Sequence, residues 1–145
     1  MFPYRESQLG ASPRENSAMI GYVTLGTNDL PRAAKFYDAI AEQFGVGRMM
    51  EFDTFIAWGE MGGAPGVAAT KPFDGEEACV GNGTMVALQV ENPEKVQAVY
   101  DTAIAHGGSD EGEPGPRGDD GFYAGYFRDP DGNKLNVFCM VQPSS

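Results

Sequence analysis

The chain has 145 residues, 41% of them apolar and 21% charged, and its 21 acidic against 10 basic residues give a formal charge of −11. A chain of this length folds as one domain or as two small, intimately packed modules, and buries roughly 70% of its unfolded surface. The charge excludes a nucleic-acid or anionic-membrane surface, because phosphate binding needs a basic stripe, while it admits a cationic ligand.

In chain order, residues 1–18 are polar and carry Pro3, Ser12, Pro13 and Asn16, which predicts a loose arm able to dock on a neighbour. They show no signal-peptide pattern, and a reducing cytoplasm is expected. Residues 20–26 are β-branched and apolar enough for a strand. Asn28-Asp29-Leu30-Pro31 starts a helix, with an Asx cap and Pro in the first turn. Ala33, Ala34, Tyr37, Ile40, Ala41 and Phe44 then recur at helical spacing up to the stop at Gly45. Residues 48–52, 54–59 and 65–70 read as three short strands, with Gly62-Gly63 turning between the last two.

Residues 71–83, with Pro72, Gly75, Gly81 and Gly83, have the composition of a surface linker. Residues 84–90 form the next expected strand. Asn92-Pro93 caps a helix with the apolar face Val96, Val99, Tyr100, Ala103 and Ile104, ended by Gly107-Gly108. Residues 110–120 are rich in Gly, Pro and acid and predict a loop with at most one edge strand. Residues 122–128 alternate as a strand, Asp129-Pro130-Asp131-Gly132-Asn133 is a tight turn, and residues 134–140 make the last strand.

The chain thus repeats itself. Tyr22-Val23-Thr24-Leu25 followed by Tyr37-Asp38 and Gly45 returns as Met85-Val86-Ala87-Leu88 followed by Tyr100-Asp101 and Gly108, at a constant offset of 63 residues. A fixed period marks a duplicated supersecondary unit. The expected organisation is an arm (1–18), a βαβββ module (19–70), a linker (71–83), a second βαβββ module (84–141) and a tail (142–145). The fold class is α+β, with curved, cup-like mixed sheets. Two cysteines without a Cys-x-x-Cys make neither a disulfide framework nor a zinc knuckle. Cys139, in an apolar run, is expected to be a buried hydrophobe, and Cys79, among acids, an unreactive thiol.

The duplication, the helix start Asn28-Asp29-Leu30 with Phe36-Tyr37, the link Gly81-Asn82-Gly83-Thr84 and the closing run Tyr126-Phe127-Arg128-Asp129-Pro130-Asp131-Gly132-Asn133-Lys134 resemble the vicinal oxygen chelate superfamily. That family includes glyoxalase I, bleomycin-resistance proteins and extradiol dioxygenases. The resemblance covers about residues 19–140. It implies the fold, not the reaction, and gives the closing Asp and Asn residues a structural role as turn formers.

The resemblance also implies a divalent cation in the cup, held by His on the first strand of a module and by Glu or His on its last strand. Carried over residue by residue, the first-strand positions fall on Tyr22 and Met85 and the final-strand Glu on Asn136, while the last strand of module one offers only Gly66-Val67-Ala68-Ala69-Thr70. Phenol, thioether and amide do not make a cage for magnesium, manganese, iron or zinc. The single histidine, His106, sits at a helix end, which suits a solvated cation. No metal and no cofactor are therefore expected.

Period-two alternation sends Thr24 to the side of Tyr22 and Phe138 to that of Asn136. Phe55, Trp58 and Tyr126 lie on neighbouring strands, and alternation admits only one of Phe55 and Trp58 to the cup. Tyr22, Thr24, Phe55, Trp58, Met85, Tyr126, Asn136 and Phe138 are the candidate ligand contacts. No catalytic residue is singled out; Glu51, Glu60 and Glu113 are acids in or near strands, with surface solvation the default. The expected function is metal-independent binding of a small organic molecule, cationic or aromatic, between the modules of a homodimer. The alternatives are a metal-dependent lyase or dioxygenase with a displaced site, and a protein-interaction module whose cup is filled by side chains.

Overall fold

The computed structural model describes residues 19–142, so the expected arm and the final tail residues lie outside the described residues. The first module runs β1 (Tyr22–Gly26), α1 (Leu30–Gln43), β2 (Gly47–Phe52), β3 (Phe55–Gly59) and β4 (Gly66–Thr70). The second runs β5 (Val86–Gln89), α2 (Pro93–Ala105), β6 (Ser109–Pro116), β7 (Phe122–Arg128) and β8 (Lys134–Met140). Each βαβββ unit forms its own four-stranded sheet, in the orders β1-β4-β3-β2 and β5-β8-β7-β6. In both, the strand before the helix pairs in parallel with the last strand, and the others pair antiparallel. The architecture is α+β and the sheets are not closed. No helix among the described residues is long and apolar enough to cross a membrane.

The helices start where their caps dictate. Asp29 Oδ1 accepts from the Arg32 amide at 3.0 Å, and Asn92 Oδ1 from the Lys95 amide at 2.9 Å, with Pro in the first turn of each helix. After α1, Gly45 takes a φ of 71° that other residues resist, and the chain turns back into β2.

Each helix covers one face of its sheet. α1 buries Leu30, Ala33, Phe36, Tyr37 and Ile40 over Leu25, Ile56 and Trp58; α2 buries Val96, Val99 and Ala103 over Phe127, Leu135 and Val137. The two helices also pack on each other, so both modules share one core, and Phe36 of α1 lies 6.2 Å from Phe127 of β7. This close approach requires glycine at position 108, where a Cβ would stand 2.8 Å from the carbonyl oxygens of Ala103 and Arg128 and 3.0 Å from the Phe36 ring.

Hydrogen bonds clasp the turn after β7 to the β1–α1 corner. Asp129 Oδ1 accepts from the amides of Asp131 and Asn133, both at 2.9 Å, which shapes the turn. Its Oδ2 accepts from the Tyr37 hydroxyl at 2.6 Å and from Asn133 Nδ2 at 2.9 Å. Asn133 Nδ2 also donates to the Gly26 carbonyl at 2.9 Å, and Arg32 pairs with Asp131 at 2.8 Å. Burial, and then the Asp129 carboxylate, push the Tyr37 phenol well above its ordinary range. The linker is pinned as well, since Asn28 bonds both the amide and the carbonyl of Ala78.

Within residues 110–120 the expected edge strand forms, beginning one residue earlier, at Ser109. Ser-Asp-Glu-Gly-Glu-Pro-Gly-Pro forms the edge strand β6, paired with β7 through two register shifts. Bulges absorb the extra residues, and at an edge the unpaired side faces water, so Pro and acid are tolerated there. Cys139 is buried as expected, with burial raising its thiol, and Cys79 is exposed and free.

Candidate functional site

With one face of each sheet under its helix, the other face is open. On the first sheet, register aligns Tyr22 with Gly66, and Thr24 with Ala68 and then Ala57. The helix-covered residues of these strands are Leu25, Ile56 and Trp58, so the alternate positions point outward. Ala57 and Ala68 form a floor of small residues. Tyr22 packs edge-on against Phe55 at 5.9 Å, and Phe52 lies 6.3 Å from Phe55. Tyr22 is 47% and Phe52 62% exposed, which makes this an aromatic, uncharged surface open to solvent.

The open face of the second sheet differs. Register aligns Ala87, Asn136 and Tyr126 across it, then Gln89, Phe138 and Ala124. Phe138 stacks on Phe122 at 5.4 Å. Two cations lie against Tyr126, with Arg117 Cζ 5.4 Å and Lys134 Nζ 5.5 Å from the ring centroid. Arg117 donates to the carbonyls of Glu113 and Gly115 at 2.7 and 2.9 Å, but among the described residues neither it nor Lys134 meets a carboxylate. The next cation, Arg128, is paired with Glu111 at 3.3 Å. Asn136 is only 2% exposed, and among the described residues its Oδ1 has no hydrogen-bond partner. A buried amide oxygen left without a donor is uncommon and calls for an explanation.

The candidate residues therefore divide into two groups. Tyr22, Thr24 and Phe55 share the open face of the first sheet; Tyr126, Asn136 and Phe138 share that of the second, with Met85 one residue before β5 and 40% exposed. No strand of one sheet pairs with a strand of the other. Of the alternation pair, Phe55 is on the open face. Trp58 is on the helix face, where its Nε1 donates to Asp38 at 2.7 Å and its ring lies 5.3 Å from Tyr37. Arg48 grips the same carboxylate through Nε and Nη2 at 3.0 and 2.9 Å and holds its pKa below the usual range, with the Trp58 bond adding to the effect. Trp58 also lines a cavity of about 530 Å³ at the module junction, bounded by Ile40, Phe44, Val67 and Leu88. The cavity is also lined by Gly66, Ala87 and Gln89.

Two of the three acids are engaged elsewhere, and Glu60 lines the junction cavity. Glu51 pairs with Arg48 at 2.8 Å, and Glu113 adds to the negative field at Tyr100, whose phenol burial and Asp110 push up to about 12. His106 caps α2, exposed, with Nδ1 2.8 Å from the Thr102 carbonyl oxygen. The two residues sequence reasoning missed are Lys134 and Arg117. Alternation from Asn136 would have found Lys134, two residues earlier on the same strand; Arg117 follows a bulged edge with no period to read.

The register also tests the donors for an ion. Ala87 aligns with Asn136 as Thr24 aligns with Ala68, so the module-one counterpart of Asn136 is Ala68. The four ligand positions carry phenol, methyl, thioether and amide groups. Among the described residues, no three His, Cys, Asp or Glu side chains stand close enough to hold a metal. The residues at these positions do not fit a divalent cation.

Residues 19–137 match the Glyoxalase/Bleomycin resistance protein/Dioxygenase superfamily. Among solved structures, the chain is similar to a glyoxalase/bleomycin resistance protein from Albidiferax ferrireducens T118, with 34% identity and a TM-score of 0.77 over 87% of this chain and all of that one. It shares its fold with a glyoxalase/bleomycin resistance protein/dioxygenase family enzyme from Burkholderia phytofirmans PsJN, at 17% identity and a TM-score of 0.68 over 86% of this chain and 100% of that one. It does so too with a lactoylglutathione lyase from Agrobacterium tumefaciens, at 20% identity and a TM-score of 0.62 over 85% of this chain and 93% of that one. No curated protein matches the chain.

Proposed function

The chain belongs to the glyoxalase/bleomycin resistance protein/dioxygenase superfamily, and we propose that within it this protein binds a small aromatic organic molecule on the open sheet faces without a metal. The carrying observation is Asn136, a buried amide with an unpartnered Oδ1 set among aromatic side chains at a position where the family resemblance implies a metal ligand. An apolar and aromatic surface with a few polar groups is the usual form of a small-molecule site. Tyr22, Phe55, Tyr126 and Phe138 offer stacking; Asn136 offers one acceptor.

Each open face is half of an enclosure. The exposed Tyr22, Phe52, Met85 and Met140 support a homodimer in which a second copy closes the cup. Exposed apolar residues grouped on one face mark association surfaces. A charge at Phe52 then separates the copies, and Phe52→Asp is expected to halve the mass measured by light scattering.

The test is titration with 3-hydroxybenzamide, a neutral aromatic probe, followed by amide NMR shifts. Shifts are expected at Tyr22, Tyr126, Asn136 and Phe138, unchanged by chelator. Tight metal uptake with shifts only in its presence would overturn metal independence. Shifts confined to the Trp58 cavity would overturn the placement.

A further inference from the structure

The net charge of −11 hides a local reversal. On the open face of the second sheet, Arg117 and Lys134 have no carboxylate partner among the described residues, and both lie against one ring. The ring's negative face offers each cation partial compensation. Two like charges sharing it still repel, and the remaining positive field is directed at solvent beside the aromatic surface. Arg117 is held in place by backbone carbonyls, which fix its guanidinium without neutralising it. With Nη1 given to the Gly115 and Pro116 carbonyls and one Nη2 hydrogen to Glu113, the Nε–H and the second Nη2–H remain to take a carboxylate.

Beside these cations is a group of opposite need. Asn136 is the register partner of Tyr126 and two residues from Lys134 on the same face of β8, and its Oδ1 lacks a donor. The face thus offers unused donors and one unused acceptor around a single aromatic ring. One molecule satisfies both if it carries a carboxylate and, a few bonds away, a hydroxyl or N–H.

Resting on the reading of the open faces as a small-molecule site, we infer that the second sheet selects an organic acid bearing a hydroxyl or amine. Its carboxylate sits between Arg117 and Lys134 beside Tyr126, and its donor reaches Asn136 Oδ1. The local charges favour this anion over the cationic ligand that the net charge admits. The first sheet's face, uncharged and aromatic, takes the apolar part of the same molecule when a second copy closes the cup.

The test compares 3-hydroxybenzoate with the neutral 3-hydroxybenzamide by titration calorimetry on the full chain. The acid is expected to bind about tenfold more tightly at low salt, and the preference to shrink as salt shortens the Debye length. Lys134→Gln should weaken the acid about threefold and the amide less; combining it with Arg117→Gln should abolish the preference. Lys134→Arg should keep it, which separates lost charge from lost structure. Benzoate, lacking the hydroxyl, should lose affinity for the wild type but not for Asn136→Leu. If neither probe shifts the resonances of the open faces, the small-molecule reading itself falls. If both bind with equal affinity, or the acid ignores the lysine substitution, the anion assignment falls alone. If removing the cations weakens self-association without altering the preference, the cations belong to a contact with the second copy, and the inference is overturned.

Discussion

Tyr37 and Tyr100 occupy the same place in the two modules, 63 residues apart, and each donates to a carboxylate. Their partners differ. Tyr37 reaches Asp129 in the other module at 2.6 Å, in a buried network; Tyr100 reaches Asp110 in its own module at 2.7 Å, at an exposed edge. The same helix position thus joins the modules in one copy and pins an edge strand in the other. The open faces have diverged in a similar way: the first is aromatic and neutral, the second carries two cations without a carboxylate partner among the described residues and a buried amide. Duplication kept the scaffold, because each module must cover one sheet face with its helix, and left the partners of equivalent side chains free to change.

The largest difference is expected at the clasp. Asp129→Ala leaves the Tyr37 hydroxyl, Asn133 Nδ2 and two turn amides short of a partner in a buried setting. Losing a hydrogen-bonded buried charge of this kind costs about 3 kcal/mol or more, read as a lower urea midpoint. Tyr37→Phe comes next, at about 1–2 kcal/mol, since Asp129 keeps Asn133 and its amides. Tyr100→Phe should cost only a fraction of that, because water re-solvates Asp110. Equal losses in the two phenylalanine variants would remove the distinction between joining and pinning.

The helix caps should bring the modules back together. Asp29 and Asn92 are also 63 residues apart and cap their helices with nearly equal bonds, 3.0 and 2.9 Å. Each alanine variant is expected to cost about 1 kcal/mol. Unequal losses would show that a tertiary contact, and not the cap, sets one of the values.

Most of the fold was legible because it is written in local terms. An Asx cap with Pro in the first turn, apolar spacing and glycine stops define both helices, and the constant offset identifies the modules. β6 was not legible as a full strand: Ser109 to Pro116 has no apolar alternation, and its conformation comes from pairing with β7. At the site, alternation grouped Tyr22 with Thr24 and Asn136 with Phe138, as the sheets do. It could not choose between Phe55 and Trp58, because both faces of β3 are apolar; the choice follows from Asp38 on α1, which takes the indole N–H. The clasp was invisible for a related reason. A turn former and a helix tyrosine, 92 residues apart, become partners only once α1 and α2 are packed.

The smallest expected effect is also the one that contrasts the modules most directly. Asp38 and Asp110 both have pKa values held below the ordinary range, by different means. Asp38 is held mainly by the Arg48 guanidinium, with Trp58 helping; Asp110 by the neutral Tyr100 hydroxyl and the Gly112 amide. A carboxylate whose pKa is lower folded than unfolded binds fewer protons in the native state. Its stabilisation is therefore present at neutral pH and is lost as pH falls below about 4. Asp38 is half exposed, so its share, screened by water, is below about 1 kcal/mol. Urea midpoints measured from neutral pH to pH 3 should fall less steeply in Asp38→Asn and in Asp110→Asn than in the wild type. Salt should separate them. Screening weakens the ion pair with Arg48 and so removes the pH dependence owed to Asp38, while the bonds of Asp110 to neutral donors are insensitive to it. If high salt erased both contributions, Asp110 would be held by a charge and the contrast between the modules would fail at this pair.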